Sequence, residues 1–212
     1  MGSSDQKYSW VQTHKELAQY LKGKEDAQEE LVELLREAGV DQGLVDEYAE
    51  GDRFDLEEID PFSFFCFIYK YGPEKRLKVL QHLAEKLDLY YPEDESGIPS
   101  AQAQKVMMFP FKFHRKDDEI KRLWDFFYSV LDGTVTDQKF KDTLNIYGVG
   151  IVKITEALFY VDPETYLPIN GPTKPYLKQV LGINPKFSTW QEYLEILSRV
   201  KDKSDLPFYE LT

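Results

Sequence analysis

Along the chain, apolar residues recur mostly at spacings of three and four, and Gly, Pro, Asp and Ser punctuate them as helix ends do. Ser9 stands where a cap would open a helix running to about Leu21, with Trp10, His14, Leu17 and Leu21 on one face. A second helix is predicted from about Asp26 to Ala38, with Leu31, Leu34, Leu35 and Ala38 inward and Gly39 as its stop. Gly43 to Tyr48 suggests a further short turn of helix, and Glu50 to Glu58 an acidic loop. Asp60-Pro61 pairs a capping carboxylate with a proline at the first helical position. The residues that follow, Phe62 to Tyr69, are apolar on nearly every side, which predicts a buried central helix. Gly72-Pro73 ends it and opens the next, to about Leu87.

Tyr90 to Pro99, rich in Pro, Asp and Glu, reads as a loop. From Ser100 to Lys116 the pattern is irregular, and the alternation of Met107, Phe109, Phe111 and Phe113 suggests a short extended stretch. Helices are predicted again over Asp117–Leu131, Asp137–Ile146, Ile151–Tyr160, Pro172–Val180 and Ser188–Lys201, with a loop from Val161 to Gly171. Alternating segments are too few to build a sheet, so the predicted class is all-α, a multi-helix globular domain. Residues 1–8, opening with Met1-Gly2-Ser3-Ser4, read as a disordered or artificial start. Residues 9–212 read as one helical recognition domain, with the Tyr90–Pro99 loop as an optional lobe boundary.

Composition supports a packed interior: of 212 residues, 42% are hydrophobic and 15% aromatic, enough for a sizeable core. No apolar run approaches the ~18 residues of a membrane span, so no membrane partner is expected. Cys66, flanked by Phe65 and Phe67, reads as a small core residue rather than a thiol nucleophile. Three histidines and one cysteine, scattered, argue against a zinc site, and nothing implies a metal or other cofactor. A cytoplasmic protein is the expectation. The net charge of −12 is unfavourable for nucleic acid taken alone, but it is unevenly spread. Residues 1–100 hold 23 Asp and Glu against 11 Lys and Arg, whereas residues 101–212 hold 15 of each. A nucleic-acid face in the second half is therefore compatible with the charge.

Tyr147-Gly148-Val149-Gly150 falls between two predicted helices. Glycines at 148 and 150 permit backbone angles closed to other residues and let a foreign backbone approach. The amides opening the next helix then face outward at the positive end of its dipole, which suits a phosphate. Lys153, one turn in, adds a charge, while Ile146, Val149, Ile151 and Ile154 would pack the helices together. A plain helical hairpin without ligand has the same pattern.

The stretch from Gly148 to Phe159 resembles the helix–hairpin–helix of the DNA glycosylase superfamily. The later phrase Pro168-Ile169-Asn170-Gly171-Pro172-Thr173-Lys174 resembles the segment that carries that family's catalytic aspartate. The resemblance covers about 35 residues and implies DNA held at Gly148, Val149, Gly150, Lys153, Asn170, Gly171 and Lys174, with a two-lobed glycosylase-like fold as one form it allows. Asn170 stands where the aspartate would be, and a neutral amide neither stabilises an oxocarbenium-like sugar nor activates a nucleophile. Val152 occupies roughly the position of the lysine of bifunctional members, with Lys153 one residue on. The resemblance with these departures implies a reader of DNA, with a base-excision enzyme as the alternative.

A second resemblance spans residues 8–211. Tyr8-Ser9-Trp10 through Leu17, Glu58-Ile59-Asp60-Pro61-Phe62 through Phe65, Gly97-Ile98-Pro99, the hairpin, Tyr166 to Asn170 and the closing Leu206 to Leu211 follow in an order similar to the N-terminal domain of McrB-like AAA+ GTPases of modification-dependent restriction systems. No Gly-x-x-x-x-Gly-Lys-Ser/Thr phosphate loop occurs in the sequence. The resemblance therefore implies a specificity module that binds DNA, with or without a modified base. Nucleotide hydrolysis and cleavage would fall to an AAA+ GTPase domain and a nuclease subunit.

One basic concentration, Lys105, Lys112, His114, Arg115, Lys116, Lys121 and Arg122, is interleaved with Phe109, Phe111 and Phe113. Lys112 and Arg115 are candidates to hold phosphates while the rings stack a splayed base. The plainer reading, which the acids Asp117-Asp118-Glu119 favour by diluting the charge, puts the rings in a core and the charges on a solvated face. A third functional class, a protein-interaction module with a purely structural hairpin, stays open beside DNA reading and base excision.

Overall fold

The computed structural model of the chain describes residues 7–102, 106–116 and 118–212, so Met1-Gly2-Ser3-Ser4, Lys105 and Asp117 lie outside the described residues. Its helices are α1 (Trp10–Leu21), α2 (Gln28–Glu37), α3 (Pro61–Tyr69), α4 (Pro73–Leu87), α5 (Glu119–Leu131), α6 (Asp137–Leu144), α7 (Ile151–Val161), α8 (Thr173–Pro175) and α9 (Trp190–Lys201). Among the described residues the only sheet is a hairpin of β1 (Val45–Ala49) and β2 (Asp52–Asp55). The fold is thus mostly helical rather than all-α. None of the helices is long and apolar enough to cross a membrane.

α3 is the centre. All nine of its residues are buried, and α2, α4, α5 and α7 pack around it. Its start follows the sequence signal: the Asp60 carboxylate accepts from Phe62 N at 2.9 Å and Ser63 N at 3.1 Å, and Pro61 takes the first helical position. Phe62, Phe64, Phe65 and Phe67 have no exposed surface. Each buried ring of this size stabilises the fold by about 1.5–3 kcal/mol. A single hydrophobic cluster runs from Trp10 to Phe208.

α1 begins as expected, but Ser9 does not cap it. Ser9 is itself helical, and the start is instead tied down by Asp94, whose carboxylate accepts from Tyr8 N at 3.0 Å and Ser9 N at 2.9 Å. The Trp10 indole donates to Ser96 O at 2.8 Å and Thr13 Oγ1 to Tyr90 O at 2.7 Å. The Tyr90–Pro99 loop is therefore strapped to α1, and Arg76 of α4 holds it from the other side through Glu95 at 2.6 Å and Ser100 at 3.0 Å.

The predicted helical turn over Gly43–Tyr48 and acidic loop over Glu50–Glu58 are instead the β hairpin. Gly51, at φ +83°, turns the chain, and the Arg53–Glu47 pair at 2.9 Å crosses between the strands. A bulge between Glu47 and Ala49 breaks the register. The alternating phenylalanines after residue 106 make no strand: Met108 and Phe109 are buried, while Phe113 is exposed. That segment is a loop pinned from outside. Met108 N donates to Ser63 Oγ at 2.7 Å, Lys112 N to Asp46 Oδ1 at 2.8 Å and Phe113 N to Glu47 O at 3.2 Å. The predicted helix over Pro172–Val180 is a three-residue α8 that widens into a π-helical turn, Tyr176–Val180. α9 starts at a capping box of Thr189 and Glu192.

Candidate nucleic-acid interface

The turn between α6 and α7 is built from a buried base and an open tip. Ile146 and Val149 are buried and fix the turn to the core, and Val149 N donates back to Ile146 O at 3.0 Å. Gly148 lies at φ +89°, a left-handed conformation that a side chain would strain. Gly150 is different. Its φ of −113° and ψ of 165° suit any residue, and a Cβ there would meet none of the described residues within 4 Å. As the N-cap of α7 it is a somewhat weaker choice than Ser, Asn or Asp. Among the described residues, neither φ nor a neighbouring atom therefore calls for glycine at 150. A Cβ at Gly148 or Gly171 would likewise meet none of the described residues within 4 Å. No side chain caps α7, no acid sits in its first turn, and no acceptor among the described residues takes the amides of Ile151 and Val152.

Lys153 does not stand outward at this tip. Half-buried, its ammonium donates to the Met107 carbonyl, which ties α7 to the loop before Lys112. Burial raises the Asp60 carboxyl to about 6, against the pull of its hydrogen bonds to Ser63 and Phe62 and of the nearby Lys153 charge. Burial likewise pushes the Cys66 thiol up to about 12, consistent with an inert core thiol. A cavity of about 300 Å³ opens between the turn glycines, Cys66, Ala101-Gln102 and the first turns of α7, with Lys153 and Glu156 on its wall. A larger, shallow depression of about 650 Å³ between α2 and α4 shares no residue with the hairpin.

Asn170 is buried, and both its amide nitrogen and its oxygen are bonded. Its Nδ2 donates to Glu156 Oε1 at 3.0 Å, and its Oδ1 accepts from Thr173 N at 3.2 Å and Thr173 Oγ1 at 3.0 Å. It thereby joins α7 to the start of α8. Thr155 makes a parallel tie, accepting from Ile169 N at 3.0 Å. Burial raises the Glu156 carboxyl above the usual range, with Asn170 and Lys174 pulling the other way. Lys174 is half-buried beside this carboxylate, and Gly171 is exposed. The structure thus brings Gly148, Gly150 and Lys153 to one cavity, and sets Asn170 and Lys174 against its Glu156.

Lys112 and Arg115 belong to a neighbouring surface. The Arg115 guanidinium is buried between Asp46 at 2.8 Å and Glu58 at 3.0 Å, so its charge is already answered. Lys112 is exposed, with its ammonium 5.2 Å from the Tyr48 ring centre and 5.5 Å from that of Phe54. Two residues of this region escape the sequence reading. Tyr147, at the tip, is 75% exposed. Glu156 sits on the cavity wall. An aromatic residue immediately before Gly148 is a signal for the first; the second has none, because a lone glutamate on a helix is ordinary.

The family-model comparison matches residues 10–212, and the chain belongs to the family described as a domain of unknown function, DUF8425. No curated protein and no solved structure matches it.

Proposed function

We propose that the chain is a DNA-binding recognition module that grips a strand backbone at the Gly148-Val149-Gly150 turn. The observation that carries this is Gly150: a glycine that neither φ nor packing among the described residues requires, opening a helix whose first amides have no partner among those residues. A phosphate approaching that point meets two backbone donors and the positive end of the α7 dipole, with no side chain in the way. The resemblance of residues 8–211 to the N-terminal domains of McrB-like GTPases supports a setting in a restriction or antiphage system. There an AAA+ GTPase domain and a nuclease would do the hydrolysis and cleavage. Bare and base-modified DNA both fit this reading.

The test is fluorescence anisotropy with duplexes that are unmodified or carry 5-methylcytosine, 5-hydroxymethylcytosine or N6-methyladenine. Binding at low salt that weakens steeply as salt rises is expected. Gly150→Glu should abolish it, while Gly72→Glu, at the equally open N-cap of α4, should not. Unchanged affinity in Gly150→Glu would remove the turn from the interface.

Glu156 favours a second reading, base excision. It places a carboxyl 3.0 Å from Asn170, beside the cavity at the turn, and so supplies an acid where Asn170 is neutral. Abasic-site formation on a modified duplex, lost in Glu156→Gln, would establish it.

A further inference from the structure

The face around Tyr147 carries chemistry that a turn gripping a phosphate does not need. Tyr147 is 75% exposed, and its ring centre lies 6.5 Å from that of His114. His114 lies 4.2 Å from Phe113, which is stacked on Phe111 at 6.2 Å with 18° between the planes. Phe113 and His114 are themselves exposed. The rings are not left outside by a slack loop: Lys112 N and Phe113 N are bonded to β1, and Lys153 holds Met107 a few residues earlier. The backbone keeps them facing solvent.

Cations stand beside these rings. Lys112 and Lys116 line a depression of about 160 Å³ with Arg115 and Glu58. There the Glu58 charge is met by the Arg115 guanidinium at 3.0 Å, and the same guanidinium pairs with Asp46. With Lys112 and Lys116 beside Arg115, three positive charges face these two carboxylates, so the two exposed lysines tip the depression positive. Positive groups alternating with open aromatic faces is what a single strand requires, since every nucleotide presents a phosphate and a base face. A paired duplex hides its base faces in the stack and would offer these rings only its backbone. The face also runs directly into Gly148, through Tyr147.

Resting on the reading of the chain as a DNA-binding module, we propose that Tyr147, His114 and Phe113, with Lys112 and Lys116, bind an unpaired stretch of DNA strand beside the turn. Bases stack on the rings, and a phosphate sits between the two lysines.

The test compares a blunt duplex, the same duplex with a short central bubble, and a single strand of equal length by fluorescence anisotropy. The bubble should bind more tightly than the duplex. Tyr147→Ala should weaken binding to the bubble and single strand about tenfold, as loss of one stacked base predicts, and leave the duplex unchanged. Tyr147→Trp should restore it. The pair Lys112→Glu and Lys116→Glu should lower affinity and flatten the salt dependence. Thermal unfolding of each variant matched to the parent protein keeps folding out of the comparison. Equal affinity for duplex and bubble, unmoved by Tyr147→Ala, overturns this inference and leaves the module standing. Binding to none of the three forms overturns both.

Discussion

The ammonium of Lys153 donates to the backbone carbonyl of Met107, so the helix that follows the glycine turn also holds the loop that carries Lys112, Phe113 and His114. The same stretch of loop is held from α3, where Ser63 Oγ accepts from Met108 N at 2.7 Å and donates to Asp60. Turn and aromatic loop are therefore two parts of one braced surface. Replacing Lys153 with Met keeps most of the aliphatic stem but removes a charged donor. The expected loss is about 1.5–3 kcal/mol, the range for a hydrogen bond to an ionised group. Urea unfolding measures it. Hydrogen exchange should show faster exchange at Met108 and Lys112, whose amides are bonded in the parent protein. Unchanged exchange there would mean that α3 and β1 alone hold the loop.

The two turn glycines should separate stability from binding. Gly148→Ala places a Cβ on a backbone at φ +89° and should destabilise the protein by roughly 1–2 kcal/mol. Gly150→Ala meets neither a forbidden φ nor a neighbour among the described residues, and the poorer N-cap is offset by the lower entropy of the unfolded chain, so its stability should stay within about 0.5 kcal/mol of the parent. Calorimetric unfolding of the pair checks this. A clear loss in Gly150→Ala would show an internal need for that glycine and weaken the argument for an external backbone.

Much of the helical frame is legible in sequence because its signals are local. Asp60-Pro61 states both a cap and a first turn, and Gly39 stops α2 at φ +98°. The β hairpin is not legible, since Gly43 to Tyr48, with Asp46 and Glu47 in it, reads as a helical turn until Arg115 and Arg53 pair with those acids from distant or opposite positions. Ser9 misleads for a similar reason: the groups at the start of α1 are satisfied by Asp94, 85 residues away. At the candidate site, the turn and Asn170 are readable as positions, but their directions are not. Only tertiary packing turns Lys153 toward Met107, buries Arg115, and leaves Tyr147 in solvent.

Two buried groups should give stability opposing pH dependences. His14 is fully buried, and its Nε2 pairs with the Tyr69 hydroxyl. Burial lowers its pKa from 6.5 to about 3, with the Tyr160 backbone pulling slightly the other way. The unfolded state then binds the extra proton, so this contribution is present above about 6.5 and is lost as pH falls toward 3. Asp60 has the reverse sign: burial raises it from 3.8 to about 6, so its contribution is present below 3.8 and is lost as pH rises through 6. His14→Gln should flatten the loss on the acid side, and Asp60→Asn the loss toward neutrality. Urea midpoints from pH 4 to 8 separate the two, and identical profiles in parent and variants would remove both assignments.

Asn170 supplies the sharpest test of the α7–α8 junction. Its amide donates to Glu156 while its carbonyl accepts from Thr173, so only a residue that both donates and accepts satisfies the site. Asn170→Ala leaves the Thr173 amide and the Glu156 carboxyl without those partners and should destabilise the protein by about 1–2 kcal/mol. Asn170→Asp keeps the acceptor but sets a second carboxyl 3.0 Å from Glu156 Oε1, in a place where burial already raises Glu156. Two such acids share one proton more readily than they both ionise, so the Glu156 pKa should rise further. The sign follows: the variant is near parental stability at acid pH, where the pair holds a proton, and loses stability as pH rises through the raised pKa. Thermal unfolding of Asn170→Asp from pH 5 to 8 reads this directly. A variant whose deficit stays constant across that range would show that the two carboxyls move apart, and that the junction yields rather than holding Glu156 at the cavity wall.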